Sequence, residues 1–113
     1  MAKQYTWHKL DEYSLPLRDN DINILEVNGK KLSCTRFQGQ LFAFAHKCPH
    51  ASGIMADGFI DSAGNVVCPL HRYRFDIRNG RNTSGEGYFL KTYPIEQRED
   101  GVYLGMEKSG WLW

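Results

Sequence analysis

Several features are scarce in this sequence, and each scarcity excludes something. It has only three cysteines, an odd number whose spacing offers no disulfide framework. A disulfide-stapled secreted scaffold is thereby disfavoured, and a reducing compartment, the cytoplasm, is expected. No stretch approaches the roughly 18 apolar residues of a membrane helix, and the opening MAKQYTWHKLDEY holds no signal-peptide run. No membrane association is therefore expected. Charge of one sign is also lacking. The net charge is +1 and the charges are mixed along the chain, so neither nucleic-acid binding nor a disordered acidic tail is indicated. Helical periodicity is weak: the best candidate, HKLDEYSL, is short and stops at Pro16.

What is abundant is the strand-and-turn pattern. At 113 residues, 42% of them hydrophobic, the chain suits one packed domain spanning residues 1–113. INILEVNGKKLSCTRF reads as a hairpin around Asn28-Gly29, because Asn-Gly supplies the positive φ angles of a tight turn. Gln38-Gly39-Gln40 turns the chain into LFAFAH, where Phe42 and Phe44 alternate with Ala43 and Ala45, as in a strand with one crowded face. FID and NVVC form a second hairpin, YRFDI a further strand, and KTYPIEQRED with VYLGME a last hairpin around Asp100-Gly101. Short, regularly spaced strands predict an all-β fold, an antiparallel sandwich or small barrel.

Lys47 to Gly58 and Pro69 to Arg72 read as loops. A mixed pair of metal-ligand residues lies where a strand runs into each loop, Cys48-Pro49-His50 and Cys68-Pro69-Leu70-His71, with residues 51–67 between them. Two opposed loops of this kind can converge two thiolates and two imidazoles on one point. Tetrahedral Cys₂His₂ zinc fits such a set, although zinc fingers usually place both cysteines on one arm. A 2Fe–2S centre in which two His replace two Cys on one iron also fits. One iron can then take Cys48 and Cys68, and the other His50 and His71.

The spacing C-x-H, seventeen residues, C-x-x-H, with CPHASG, Gly58 and CPLH followed by RFD, resembles the signature of Rieske iron–sulfur proteins. The resemblance is strongest over Lys47 to Gly80 and is closest to the small ferredoxins of ring-hydroxylating oxygenases. Small Rieske-like subunits of nitrite reductases are also similar. It implies the Rieske fold, antiparallel sheets with a small cluster-binding subdomain of two loops at about 46–76, holding one 2Fe–2S cluster. The respiratory branch of the family has a disulfide between its ligand loops, at positions matching Gly53 and Leu70. It also has hydroxyl donors to the cluster, at positions matching Tyr73 and Phe75.

Other residues read more plainly. His46 caps or packs at the end of its strand, His8 is a surface residue and Cys34 is a buried inert thiol. Arg72 and Arg74 are either solvated loop charges or groups that set the field at the site. The closing GWLW is expected to pack, and the glycines of TSGEG to hold a loop close behind the ligand loops.

The resemblance implies a soluble one-electron carrier rather than an enzyme. It would bind a reductase and a terminal acceptor transiently, act as a monomer and take no small-molecule substrate. A fixed subunit of a larger reductase, such as nitrite reductase, and a structural zinc module are the alternatives. An oxidised 2Fe–2S core with two thiolates is roughly neutral, so an electron enters more easily than with four thiolates. Hydrogen bonds to sulfur raise the potential further, and here those donors are diminished. A redox titration is expected to give a midpoint near the low end of the Rieske range, about −150 mV; a value well above zero would exclude this reading.

Overall fold

Asn28 and Gly29 hold φ of 52° and 78°, the positive angles of a turn whose twist matches that of its strands. In the computed structural model, which describes residues 4–50, 52–85 and 87–108, they join the second of ten strands to the third. The strands are β1 (Tyr5–Lys9), β2 (Ile22–Val27), β3 (Lys30–Phe37), β4 (Gln40–Ala45), β5 (Phe59–Ile60), β6 (Asn65–Val67), β7 (Arg74–Asp76), β8 (Thr92–Tyr93), β9 (Ile95–Arg98) and β10 (Gly101–Glu107). They form three antiparallel sheets, ordered β1-β10-β9, β2-β3-β4-β8 and β5-β6-β7. Among the described residues no helix is long and apolar enough to cross a membrane.

The four-stranded sheet is a partition with both faces covered. Leu25, Val27, Leu32, Cys34, Ala43 and Tyr93 pack with Val102 and Leu104 of β10, forming one core. Phe37 and Phe44 point the other way, into a second core with Met55, Ile60, Val66, Phe75, Ile77 and Leu90. In β4, Ala43 therefore meets the core under the β10 sheet, while Phe42 and Phe44, with Ala45 at the strand's end, meet the core of the ligand-loop subdomain. Cys48 and Cys68 belong to the second core, so the ligand loops are seated on β4 by apolar packing.

Two local readings are corrected, and one pairing lies outside any local reading. The last hairpin is split at Pro94. Before it, β8 pairs with β4, Ala43 opposite Tyr93; after it, β9 pairs with β10. Pro94 has no N–H to give a ladder, so the chain can change sheets there. The candidate helix is not one. His8 and Lys9 end β1, which pairs with β10, and only Glu12–Ser14 make a single 3₁₀ turn, capped by the Asp11 side chain. Lastly, β1 has its partner near the far end of the chain, beyond the reach of a local reading.

Glycine matters where backbones approach closely. A Cβ on Gly58 would collide with the Val67 carbonyl oxygen, next to the strand that delivers Cys68. Gly58→Ala is expected to destabilise the protein by about 3 kcal/mol, the upper end of overpacking costs, in denaturant melts. A change of a few tenths would mean that this approach is not tight.

Candidate functional site

The two Cys/His loops share one backbone design. In the first, the Cys48 N–H donates to the Gly53 carbonyl at 2.7 Å and the Ser52 N–H to the Cys48 carbonyl at 2.9 Å. In the second, the Cys68 N–H donates to the Tyr73 carbonyl at 2.8 Å and the Arg72 N–H to the Cys68 carbonyl at 3.0 Å. Each loop closes through a left-handed residue, Ser52 at φ 58° and Arg72 at φ 57°, a conformation costing a non-glycine residue on the order of 1 kcal/mol. The first loop leaves β4 and is bridged by Lys47 and Ile54. The second runs from β6 to β7.

This geometry brings the two loops together: both thiols lie in the second core, and the two imidazoles are in contact. Cys48 and Cys68 are buried at 2% and 0% exposure. His50 is half-buried and His71 exposed, with ring centroids 4.9 Å apart and planes at 74°. The His50 Nδ1 is buried with no hydrogen-bond partner, which costs about 1–3 kcal/mol unless a metal takes the lone pair. Gly53 leaves open the space beside the second thiol: a Cβ there would stand 3.3 Å from the Cys68 Sγ and 3.0 Å from the Leu70 Cγ. Two buried thiols, an orphaned imidazole nitrogen and this gap fit a cluster held by soft and nitrogen donors. Among the described residues no three His, Cys, Asp or Glu side chains are grouped to hold a single ion.

Gly53 and Leu70, which match the disulfide positions of the respiratory branch, face each other without thiols, and none of the three cysteines is in a disulfide. Phe75 is fully buried and brings no hydroxyl. The Tyr73 ring is stacked on His50, centroids 4.2 Å apart and planes at 15°, and Tyr88 lies 5.2 Å from the same imidazole. Neither contact was legible in the sequence, because stacking leaves no spacing pattern; only the aromatic side chains themselves were visible.

The other candidates separate clearly. Burial pushes the Cys34 thiol up to about 12, so it is inert as expected. His46 accepts the Met55 N–H at its carbonyl, and its own Nδ1 is buried without a partner. His8 is half-buried on β1 rather than fully at the surface. Arg74 is a structural charge, 2.6 Å from Asp61, while Arg72 is exposed. GWLW lies outside the described residues. Arg78 donates to Asp76 and to the Ala63 carbonyl, fastening the β5–β6 turn to β7. A cleft of about 600 Å³, lined by Phe42, Arg78, Lys91 and Tyr93 among others, includes none of the four Cys and His residues.

The Rieske 2Fe-2S domain family matches residues 6–94 of the chain. The chain belongs to that family. Its cofactor is accordingly a Rieske-type 2Fe–2S cluster. The ferredoxin component of the naphthalene 1,2-dioxygenase system of Pseudomonas aeruginosa is 33% identical over 95 residues, 83% of this chain and 88% of its own. Among solved structures, the ferredoxin of carbazole 1,9a-dioxygenase from Nocardioides aromaticivorans IC177 superposes with a TM-score of 0.71 at 23% identity, covering 89% of this chain and 94% of its own. A protein described as an NADH-dependent nitrite reductase small subunit from Mycobacterium tuberculosis gives 0.76 at 16% identity, covering 91% and 96%. The two structures bear out the Rieske fold.

Asp61 anchors this Rieske site from behind. It accepts from the Asn65 and Ala63 backbone, the Asn65 side chain and Arg74, fixing the turn that feeds β6 and Cys68. Burial works to raise its pKa, but the hydrogen bonds from Asn65, Ala63 and Arg74 outweigh it and hold the carboxyl below its ordinary value. A carboxyl depressed by folding stabilises the fold above its unfolded pKa, about 3.9. That contribution is lost as pH falls through the depressed folded value. Asp61→Asn is therefore expected to be less stable than the native protein at pH 7, with the gap narrowing as pH falls below the ordinary carboxylate range in melts followed by circular dichroism. A gap that does not change with pH would remove Asp61 from this role.

Proposed function

We propose that this Rieske protein is a one-electron carrier in which Cys48 and Cys68 hold one iron and His50 and His71 the other. It would take electrons from a reductase and pass them to a terminal oxygenase. The bound cluster supplies a one-electron couple near the surface. The chain supplies stiffness, exclusion of water from the sulfur side and an exposed edge. The observation that carries the reading is the polarity of the site: both thiols lie in the second core, while His71 faces solvent. Electron exchange needs only a close approach of the partner, and such an edge provides it.

Pro49 and Pro69 fix φ inside each ligand loop, and the paired hydrogen bonds hold each loop's cysteine at both its N–H and its carbonyl. Little rearrangement is then needed when the site gains or loses an electron. As a carrier it takes no organic substrate and is not itself an enzyme. A carrier that must leave its partner quickly is served by a small, transient interface. We read the chain as one domain over residues 1–113, with its cluster-binding subdomain at about 46–76, acting as a cytoplasmic monomer. The naphthalene dioxygenase relative is named as a ferredoxin component, which favours a free carrier over a fixed reductase subunit.

Electron paramagnetic resonance of the reduced protein tests the ligand set. Cys48→Ser and Cys68→Ser should each lose the native visible spectrum, together with loop stability, because metal binding and loop order are coupled. If either variant keeps that spectrum, the assignment is wrong. In a reconstituted chain, the native protein should support electron flow from a reductase to a ring-hydroxylating oxygenase. Co-purification in a permanent complex with a larger reductase would instead show a fixed subunit.

A further inference from the structure

The two histidines do not have equal surroundings. His71 is exposed, and its one ring contact among the described residues is with His50. His50 has three: His71, a stacked Tyr73 and a tilted Tyr88. Tyr73 and Tyr88 also lie near one another, with centroids 6.4 Å apart. The two tyrosines arrive on different segments. Tyr73 closes the second ligand loop, where its carbonyl accepts the Cys68 N–H. Its ring nevertheless packs on the ligand of the first loop. Tyr88 comes from the segment after β7, which is fastened to that strand. The Thr83 N–H donates to the Arg74 carbonyl at 2.8 Å, and the Arg74 N–H donates to the Ser84 Oγ at 3.1 Å. Beyond Tyr88, Leu90 is buried and its N–H donates to the Gly80 carbonyl at 2.9 Å. Tyr88 is thus held between two anchored points while 46% exposed.

We propose that Tyr73 and Tyr88 are positioning residues that clamp the His50 imidazole and close its flank to water, leaving His71 as the open flank. The proposal rests on His50 being a ligand. Its physical content is a tie between the loops. Gly53 and Leu70 form no covalent link, and the Tyr73 ring, carried by one loop and stacked on the other, joins them instead. Parallel stacking restricts tilting of the imidazole plane, and Tyr88 restricts its sliding. A fixed plane keeps Nδ1, the buried nitrogen without a hydrogen-bond partner, aimed inward.

The test compares cluster-loaded native protein with Tyr73→Phe, Tyr73→Leu and Tyr88→Ala. Pulsed electron paramagnetic resonance of the reduced proteins reads the two imidazole-nitrogen couplings and the deuterium modulation acquired from D₂O. Tyr73→Phe keeps the ring and should match the native protein. Tyr73→Leu and Tyr88→Ala should broaden one nitrogen coupling, leave the other sharp and increase the deuterium modulation. Their midpoint potential should rise, because water stabilises the extra negative charge of the reduced site. Cluster loss to a chelator should quicken about threefold to tenfold, the range an aromatic pair contributes. Tyr88→Ala alters an exposed ring and keeps the test available should Tyr73→Leu fold poorly. Native couplings, modulation and potential in Tyr88→Ala would overturn the clamp. Absence of two nitrogen couplings in the native protein would instead overturn the ligand reading beneath it.

Discussion

Each ligand loop depends on a pair of hydrogen bonds to and from its own cysteine backbone. Cys48 and Cys68 each donate to the residue five places on and accept from the residue four places on. This closes a compact ring of backbone that holds the thiol inward and lets the histidine two or three places later meet its counterpart on the other loop. The cost falls on Ser52 and Arg72, which take left-handed φ without being glycine. Such strain persists only where surrounding structure over-determines it. Here the surroundings are the Lys47–Ile54 bridge on one side and the β6–β7 ladder on the other.

The loops inherit their relative placement from the apolar core beneath them. Phe44, Met55 and Phe75 are fully buried in the same cluster as both thiols, so the sulfur side of the site is a continuation of the core that covers β4. The polar supports lie further back, where Asp61 and Arg78 tie the β5–β6 turn to β7. Apolar packing gives the loops position, and hydrogen bonding gives them shape. The site needs both, because a carrier exchanging single electrons gains from a geometry that differs little between its two charge states.

How much of this was legible depended on the range of the interaction that encodes it. Cys48, His50, Cys68 and His71 were readable because ligand spacing is local and chemically restrictive. The hairpins at Asn28-Gly29 and Asp100-Gly101 were readable because turn chemistry is local too. The pairing of β1 with β10 was not, since its partners lie at opposite ends of the chain and β1 has little alternation of its own. The split at Pro94 was missed for a related reason: a continuous strand-like run does not say which sheet each half joins. Arg72 carries no sign of its left-handed backbone; its conformation is imposed by the Cys68 carbonyl it donates to. The hydroxyl of Tyr73 is what a family pattern points to, whereas its ring is what meets His50.

The missing disulfide takes on a different meaning in this light. From sequence, Gly53 and Leu70 were absences, implying loops left unclamped. In the structure the two positions meet directly, and a Cβ on Gly53 would press on both Leu70 and the Cys68 sulfur. Glycine there is a condition for the loops to approach. A disulfide would constrain the loops mainly by limiting the unfolded chain; van der Waals contact and a stacked ring act on the folded state alone. The cohesion of these loops should then depend on the cluster more heavily than in a cross-linked relative, because the metal is the remaining strong bond between them.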